Sequence, residues 1–490
     1  MKIKFALVLL LGSLAHGALA EETISLSPNT IFEPDFQTEL QTNDKFQKPN
    51  FNNQPSQQQN INVSLSLDEL LKQPELMKRL LGEALQRNDS KIVALVLPVY
   101  QNYLKTLHTI SEAESSLNDW ASAVVAQSQG NYSQAVKLYR ALNAKYPEHQ
   151  IIRLQMAISL FNNYENEAAQ DQFERIKADN ENKNVTALID RYLEAIRHRS
   201  DWSFQLGASY FKDNNVNNAP KAGTYIGRFK AYEPEKASGI FYRLTTSKQW
   251  ILAKQYYALL EADATGKYFF DNKKYNELSA ELGLSLGYRD GTYDIRFGPY
   301  MKKNWYAGGN RNSHALRSFS EEWGAQAQAS AWLSPKWRVS SYLSLGHEKY
   351  QRNQYLTGNN LTSSLSLSYV PSSTQFWTLG FDAYRRNAEE KGSAYDLANV
   401  RLGWNQDYNW GVSTYLQLSY AKRKYKDKHF FFNIKQKNDE YGALLSVWHR
   451  DIHWKGFTPR VSVAYQHVKS NNLFYQYDKA RVFLDFRKRF

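Results

Sequence analysis

The sequence predicts a multidomain α + β chain: an N-terminal helical-repeat domain, then an antiparallel transmembrane β-barrel of about fourteen strands. Three observations predict it. The hydrophobic period changes from about 3.6 to about 2 near Asp201 and holds to Phe490. Upstream of that point, residue types recur at a spacing of 34. Downstream, alternating segments are joined by short and long connections in turn, as in an outer-membrane barrel.

Composition narrows the classes. The 490 residues are 42% hydrophobic, yet the mean hydropathy is -0.62, which argues against a helical membrane protein. The net charge of +13 suits an anionic membrane surface as well as nucleic acid. Cysteine is absent, which excludes disulfides, thiolate metal sites and a lipid-modified N-terminal Cys.

Residues 1–20 read as a secretory signal peptide. Lys2 and Lys4 precede the apolar run "FALVLLLGSLA", and Ala18 and Ala20 are the small residues of a cleavage site between Ala20 and Glu21. The run is too short for a membrane anchor. Residues 21–64 contain "QKPNFNNQPSQQQN". Such a stretch cannot bury enough apolar surface to offset chain entropy, so it is expected to be a disordered linker.

Residues 65–200 form the helical domain. "SLDELLKQPELMKRLLGEALQRND" carries Leu at helical spacing, with Asp68 near its start. Ala123, Ala135 and Tyr139 return as Ala157, Ala169 and Phe173. That period and those types match the tetratricopeptide repeat, a helix-turn-helix unit. Gly130 stands where the turn needs a left-handed residue and Pro147 where the second helix stops. The alanines allow close helix approach and the aromatics fill the space between. Upstream helices and "NVTALIDRYLEAIRHR" are expected to cap the stack.

Residues 201–490 form the barrel. Trp202, Phe204, Leu206, Ala208 and Tyr210 share one face, as do Leu278, Ala280, Leu282, Leu284, Leu286 and Tyr288. The predicted strands are 201–212, 238–247, 251–264, 276–290, 292–302, 317–332, 337–350, 361–370, 375–387, 394–406, 411–425, 437–450, 458–469 and 479–490. Short turns include "SKQW", "RDGT", "SPKW", "VPSST", "DYNW" and "IHWKG". A lipid-facing row explains the apolar half of the pattern and a wet lumen the polar half. Trp202, Trp250, Trp337, Trp377, Trp410 and Trp454 lie by the domain start or a short turn, and so predict an aromatic girdle on one rim. The helical domain joins that rim, which makes it the periplasmic one. A soluble β-sandwich also alternates, but it would not combine a signal peptide, fourteen long strands and a tryptophan rim.

The chain stops inside its last strand, "RVFLDFRKRF". Val482, Leu484, Phe486 and Phe490 make its apolar row, expected to face lipid, pair with strand one and act as the C-terminal barrel signal. Phe483 breaks the polar row, and the pattern alone does not account for it.

Catalytic chemistry finds no foothold. "GLSLG" matches a nucleophile elbow, but Ser285 is expected mid-strand with no helix after it. His449 and His453 lie four apart at a strand end, where they share no face for a metal. No phosphate-binding G-x-x-x-x-G-K-[ST] loop is present. No cofactor, metal or nucleic acid is expected. Lys422, Arg423, Lys424, Lys426 and Lys428, beside Phe430–Phe432, form a basic cluster that is predicted to straddle an extracellular loop in residues 422–437. Contact with lipid A phosphates, contact with an acidic passenger and a merely solvated loop all remain open there.

In domain order, repeat residues, strand number and the terminal "FRKRF", residues 65–490 resemble the surface lipoprotein assembly modulator (Slam) family. The resemblance is architectural, with no short motif unique to the family. It implies an outer-membrane translocator, not an enzyme, that delivers particular lipoproteins or related secreted proteins of the metal- or haem-acquisition type to the cell surface. The implied partners are that client protein, outer-membrane lipid and lipopolysaccharide, the barrel assembly machinery and a periplasmic chaperone. Exopolysaccharide export porins also join such repeats to a barrel, but with longer repeat arrays and sixteen strands.

Overall fold

Helical periodicity before residue 200 and alternation after it produce two units joined by a short elbow. The computed structural model describes residues 70–179, 182–309, 313–452 and 458–489, with backbone alone at Ile226 and 486–489. The expected signal peptide, its Ala20–Glu21 cleavage site, the linker and Asp68 lie outside the described residues, as do His453, Trp454 and Phe490.

The helices are α1 (Pro74–Gln86), α2 (Ser90–Thr106), α3 (Glu112–Ser128), α4 (Tyr132–Lys145), α5 (Gln150–Asn162), α6 (Asn166–Ala178) and α7 (Lys183–His198). Their starts are chemically marked. Pro74 opens α1. Ser111 and Glu114 form a capping box on α3. Asn131 caps α4 by accepting from the Gln134 amide at 3.2 Å. Lys78 of α1 reaches Glu114 at 2.9 Å, tying the first hairpin to that cap. Lys78, and then Ser111, hold the Glu114 carboxyl down at about 2.

Ala123, Ala135, Ala157 and Ala169 are fully buried, as are Tyr139 and Phe173. Without side chains beyond Cβ, these alanines let paired helices close on each other. Gly130 takes φ 81 in the α3–α4 turn. Helix α4 ends at Lys145, and Pro147 follows its Tyr146 cap. Tyr192 of α7 stacks on Phe173 at 4.9 Å and meets Phe161 edge-on at 5.0 Å, closing the stack.

Fourteen strands then close into one barrel. They are β1 (Trp202–Asp213) and, after a two-residue hairpin of β2 (Tyr225–Ile226) and β3 (Phe229–Lys230), β4 (Ala237–Ala253), β5 (Tyr256–Phe269), β6 (Glu277–Arg289), β7 (Tyr293–Tyr306), β8 (Arg317–Ser334), β9 (Trp337–Tyr350), β10 (Gly358–Ser372), β11 (Gln375–Ala388), β12 (Tyr395–Asp407), β13 (Val412–Lys428), β14 (Lys435–His449), β15 (Thr458–Ser470) and β16 (Tyr477–Arg489). Each pairs antiparallel with its neighbour, and β16 returns to β1. One predicted turn is displaced. "SKQW" lies inside β4, and the chain reverses at Lys254, which takes φ 52. Ser247 and Gln249 belong to the inward row, where polar residues do not end a strand, and Lys248 donates to the carbonyl of Ser200.

The outward row is apolar as the alternation requires: Leu206, Tyr210, Leu244, Leu284, Leu286, Val482 and Leu484 are all exposed. The inward row is less uniform than a wet lumen implies. Phe211, Phe241, Phe269, Phe376, Tyr415, Leu444 and Phe483 form a buried cluster there. Phe483, which interrupts the polar pattern, lies directly opposite Phe211 across the closing seam, with ring centroids 6.1 Å apart. Phe483→Ala removes that ring. It is expected to destabilise the barrel by about 3–5 kcal/mol, read as a lower temperature of conversion of the folded, fast-migrating band in unboiled gels.

Candidate functional site

The α5–α6 turn repeats the α3–α4 turn with one substitution. In repeat register Gly130 becomes Tyr164, and Tyr164 keeps a positive φ of 61. A bulky residue in that region costs on the order of 1–3 kcal/mol and persists only where its surroundings hold it. Here the surroundings are two arginines. The Arg199 guanidinium, just past α7, stands 4.3 Å from the Tyr164 ring and 3.8 Å from that of Phe161. It also donates to the Phe161 carbonyl at 2.9 Å and to Asn166. Arg289, at the end of β6, stands 5.5 Å from the same Tyr164 ring. It is braced by Asp294 and Gln249, each at 3.0 Å. Burial pushes Arg199 down to about 10, so it stays charged at neutral pH.

Three further contacts join the helical unit to the barrel's short turns. Gln255 donates to the Asn163 carbonyl at 3.5 Å. The Gly291 amide donates to the Asn163 side chain at 3.4 Å. A Cβ on Gly291 would meet the Tyr132 ring at 2.5 Å, so the β6–β7 turn needs glycine for this approach. The α5–α6 hairpin tip, with Tyr132 of α4 beside it, therefore rests on the turns 254–255 and 290–292. The elbow is fixed by His198, whose Nδ1 lies 2.6 Å from Asp201. Asp201, then Glu194, raise the His198 pKa. That contribution is full below about pH 6.5 and is lost as pH rises through the raised value.

Between α4, α5 and α6 lies a cavity of about 310 Å³. Met156 and Leu160 give it an apolar side, and Arg140, Asn143, Asp171 and Gln172 a polar one.

The barrel wall closes at β1/β16. Nine residue pairs join these strands, from Gln205↔Arg489 to Asp213↔Arg481, the shortest barrel ladder among the described residues. Trp202, Ser203 and Phe204 pair with β4 and with no described residue of β16. On the inner side the seam is bolted. Buried Asp485 accepts from Ser209 across it and from Ser462 of β15, the latter at 2.9 Å. Lys479 reaches Asp213 at 3.0 Å and Asn218 of the β1–β4 loop at 2.8 Å. Elsewhere the inner wall carries paired charges such as Arg401–Asp382 at 2.6 Å and Arg423–Glu440 at 2.7 Å.

Trp202, Trp250, Trp337, Trp377 and Trp410 are exposed and sit at or near the barrel end that carries the helical unit. Ser285 is buried in mid-β6. His449 Nε2 lies 3.1 Å from the Trp410 carbonyl. The basic cluster is shifted: all five of its cations lie in β13, which runs past the predicted end at 425 to Lys428, while Phe430–Phe432 follow in the loop. Alternation then splits it: Arg423 points inward to Glu440, while Lys422 and Lys424 are exposed on the outer face. Tyr164, Arg199 and Arg289 were not singled out from sequence. The signal for Tyr164 was present, as a Tyr in the register of Gly130.

Tyr164→Gly should leave helix content unchanged by circular dichroism but accelerate tryptic cleavage after Arg199, whose guanidinium loses one of its two aromatic neighbours and keeps only Phe161. Unchanged cleavage would remove Tyr164 from the junction.

Comparisons with known proteins agree with this architecture. The family described as surface lipoprotein assembly modifier matches residues 202–490, and its N-terminal TPR repeats match residues 63–173. Surface lipoprotein assembly modifier 1 of Haemophilus influenzae is 39% identical over 439 residues, 90% of this chain and 89% of its own. The surface lipoprotein assembly modifier of Pasteurella multocida is 37% identical over 499 residues, 99% of this chain and 96% of its own. The hemophilin secretion modulator of Acinetobacter baumannii is 24% identical over 404 residues, 77% of this chain and 79% of its own. On these matches, the chain belongs to the surface lipoprotein assembly modifier family.

Proposed function

We infer that this protein is an outer-membrane translocator that moves specific lipoproteins, or related secreted proteins of the metal- or haem-acquisition type, from the periplasm to the cell surface. The observation that carries the reading, beside the family, is the seating of the α5–α6 hairpin tip, with Tyr132 of α4 beside it, on the short turns of one barrel end. A client gathered in the α4–α6 groove is held at the periplasmic mouth. Residues 65–200 are the gathering unit and residues 201–490 the passage. The exposed tryptophans are the periplasmic girdle. The family is a transport and assembly factor, and we assign the chain no catalytic step. With no ATP in the periplasm, client folding outside or handover from a periplasmic chaperone drives the movement.

We place the opening at β1/β16, the shortest ladder among the described residues. The sequence contains no cysteine, which makes a clean test available. Tyr210 and Leu484 are direct partners across the seam, within disulfide range of an antiparallel pair. A Tyr210→Cys/Leu484→Cys variant is co-expressed with a candidate lipoprotein, and the lipoprotein is labelled on intact cells. Labelling is expected to need the translocator, to fall to background when the seam is oxidised and to return on reduction. Labelling that persists without the translocator would overturn the function; labelling that survives oxidation would move the route into the lumen.

The terminal strand is also taken to be the segment read by the barrel assembly machinery. Deleting Phe490 should then lower the amount of heat-modifiable protein in the outer membrane; normal assembly would remove that role.

A further inference from the structure

Among the described residues, the outer face has one place where the strand ladder sets like charges against each other. Lys424 pairs with Lys437, and Lys428 with Lys435, across β13 and β14. All four are exposed on the outside of the barrel. Like charges directly opposite on a sheet are destabilising unless something neutralises them. Their neighbours are already engaged. Lys422 lies 3.5 Å from Asp439. Lys426 and Arg385 share Asp396 at 3.2 and 2.7 Å. Among the described residues no carboxylate forms an ion pair with Lys424, Lys428, Lys435 or Lys437.

A groove of about 470 Å³ runs beside this cluster. Leu361, Ala383 and Ala398 line it, with Arg385, Lys422 and Lys424 along its edge; Asp396, the β12 ladder partner of Lys424, also lines it and is held by Arg385 and Lys426. Ala383 and Ala398 are direct ladder partners, so two adjacent strands present only methyl groups at one level. The level matters. On β11 the outward row is Trp377, Leu379, Phe381 and Ala383 before Arg385. On β13 it is Leu416, Leu418 and Tyr420 before Lys422 and Lys424. The cations therefore stand where the apolar belt ends, at the barrel end away from the helical domain.

We propose that this is a binding site for a phosphorylated, multiply acylated lipid of the outer leaflet. Its phosphate lies between Lys424 and Lys437, and an acyl chain fills the Ala383–Ala398 groove. A water-soluble anion could use the lysines but has no use for a groove within the apolar belt. An acidic protein could also meet the charge, but it would meet it above the membrane, not at the end of the belt. The inference rests on the outer-membrane position and not on the identity of the passenger.

The test uses full-length protein in detergent. The probes are bisphosphorylated lipid A, the same lipid without phosphates, and inorganic phosphate. Lipid retention is read by native mass spectrometry and folding by the heat-modifiable band. Wild-type protein is expected to retain the bisphosphorylated lipid and to gain thermal resistance from it. Lys424→Gln/Lys437→Gln, folded by the same band, should lose on the order of tenfold or more in affinity. Lys303→Gln, an outward cation on β7, should not. Equal retention by the double variant, equal retention of the dephosphorylated lipid, or equal stabilisation by inorganic phosphate alone would each overturn the proposal. So would a double variant that keeps the lipid but loses surface delivery of an acidic passenger, which would make the patch a protein dock.

Discussion

A strand that lies in lipid cannot leave its backbone amides and carbonyls unpaired, so the sheet must close. Everything else in this chain is arranged around that closure. It fixes an even number of strands for a chain whose barrel begins and ends on the same side. It requires the last strand to find the first, which is why alternation carries on into "RVFLDFRKRF", interrupted there only at Phe483 among the described side chains. It also puts a seam where two distant parts of the chain meet, with no covalent turn to hold them. Among the described residues that seam carries the shortest ladder, and it is reinforced from inside by side chains: Asp485 with Ser209 and Ser462, Lys479 with Asp213, Phe483 with Phe211.

The second constraint acts at the domain junction. A helical unit joined to a barrel by an elbow of a few residues could swing freely. Tyr164 opposes that. Its backbone sits in a conformation that the equivalent Gly130 adopts without strain. The cost is sustained by bringing its ring within reach of both Arg199 of the elbow and Arg289 of the barrel. One side chain thus links repeat, elbow and barrel, and the Asn163 contacts with Gln255 and Gly291 set its orientation.

Much of this was legible in sequence because two periodicities are hard to imitate. Alternation over fourteen segments gave strand number and faces. The 34-residue spacing gave the buried Ala and aromatic positions. What alternation does not encode is what an inward side chain meets across the lumen. Phe483 looked like an error in a polar row and is a seam residue with Phe211 as partner. "SKQW" read as a turn because inward polar residues resemble turn residues when the facing strand is unknown. The predicted strand 411–425 already holds Lys422, Arg423 and Lys424; what the pattern does not give is the run on to Lys428 and the Glu440 that Arg423 meets. Tyr164 was visible in register, but its meaning lay in Arg289, 125 residues further along the chain.

These constraints bear on how a seam could open without a nucleotide. Parting β1 from β16 would uncover Phe211 and Phe483, each worth about 1.5–3 kcal/mol when fully buried. It would also wet the carboxylate of Asp485 and the Lys479–Asp213 pair. Charged groups exchange protein partners for water at modest net loss when water reaches them, so the aromatic pair is the larger local cost of the two. The nine backbone pairs are the larger cost overall, because in lipid they have no water to replace them. A client that presents an extended segment to the freed edge of β1 would restore those pairs as it arrives. Opening then becomes an exchange of one strand partner for another.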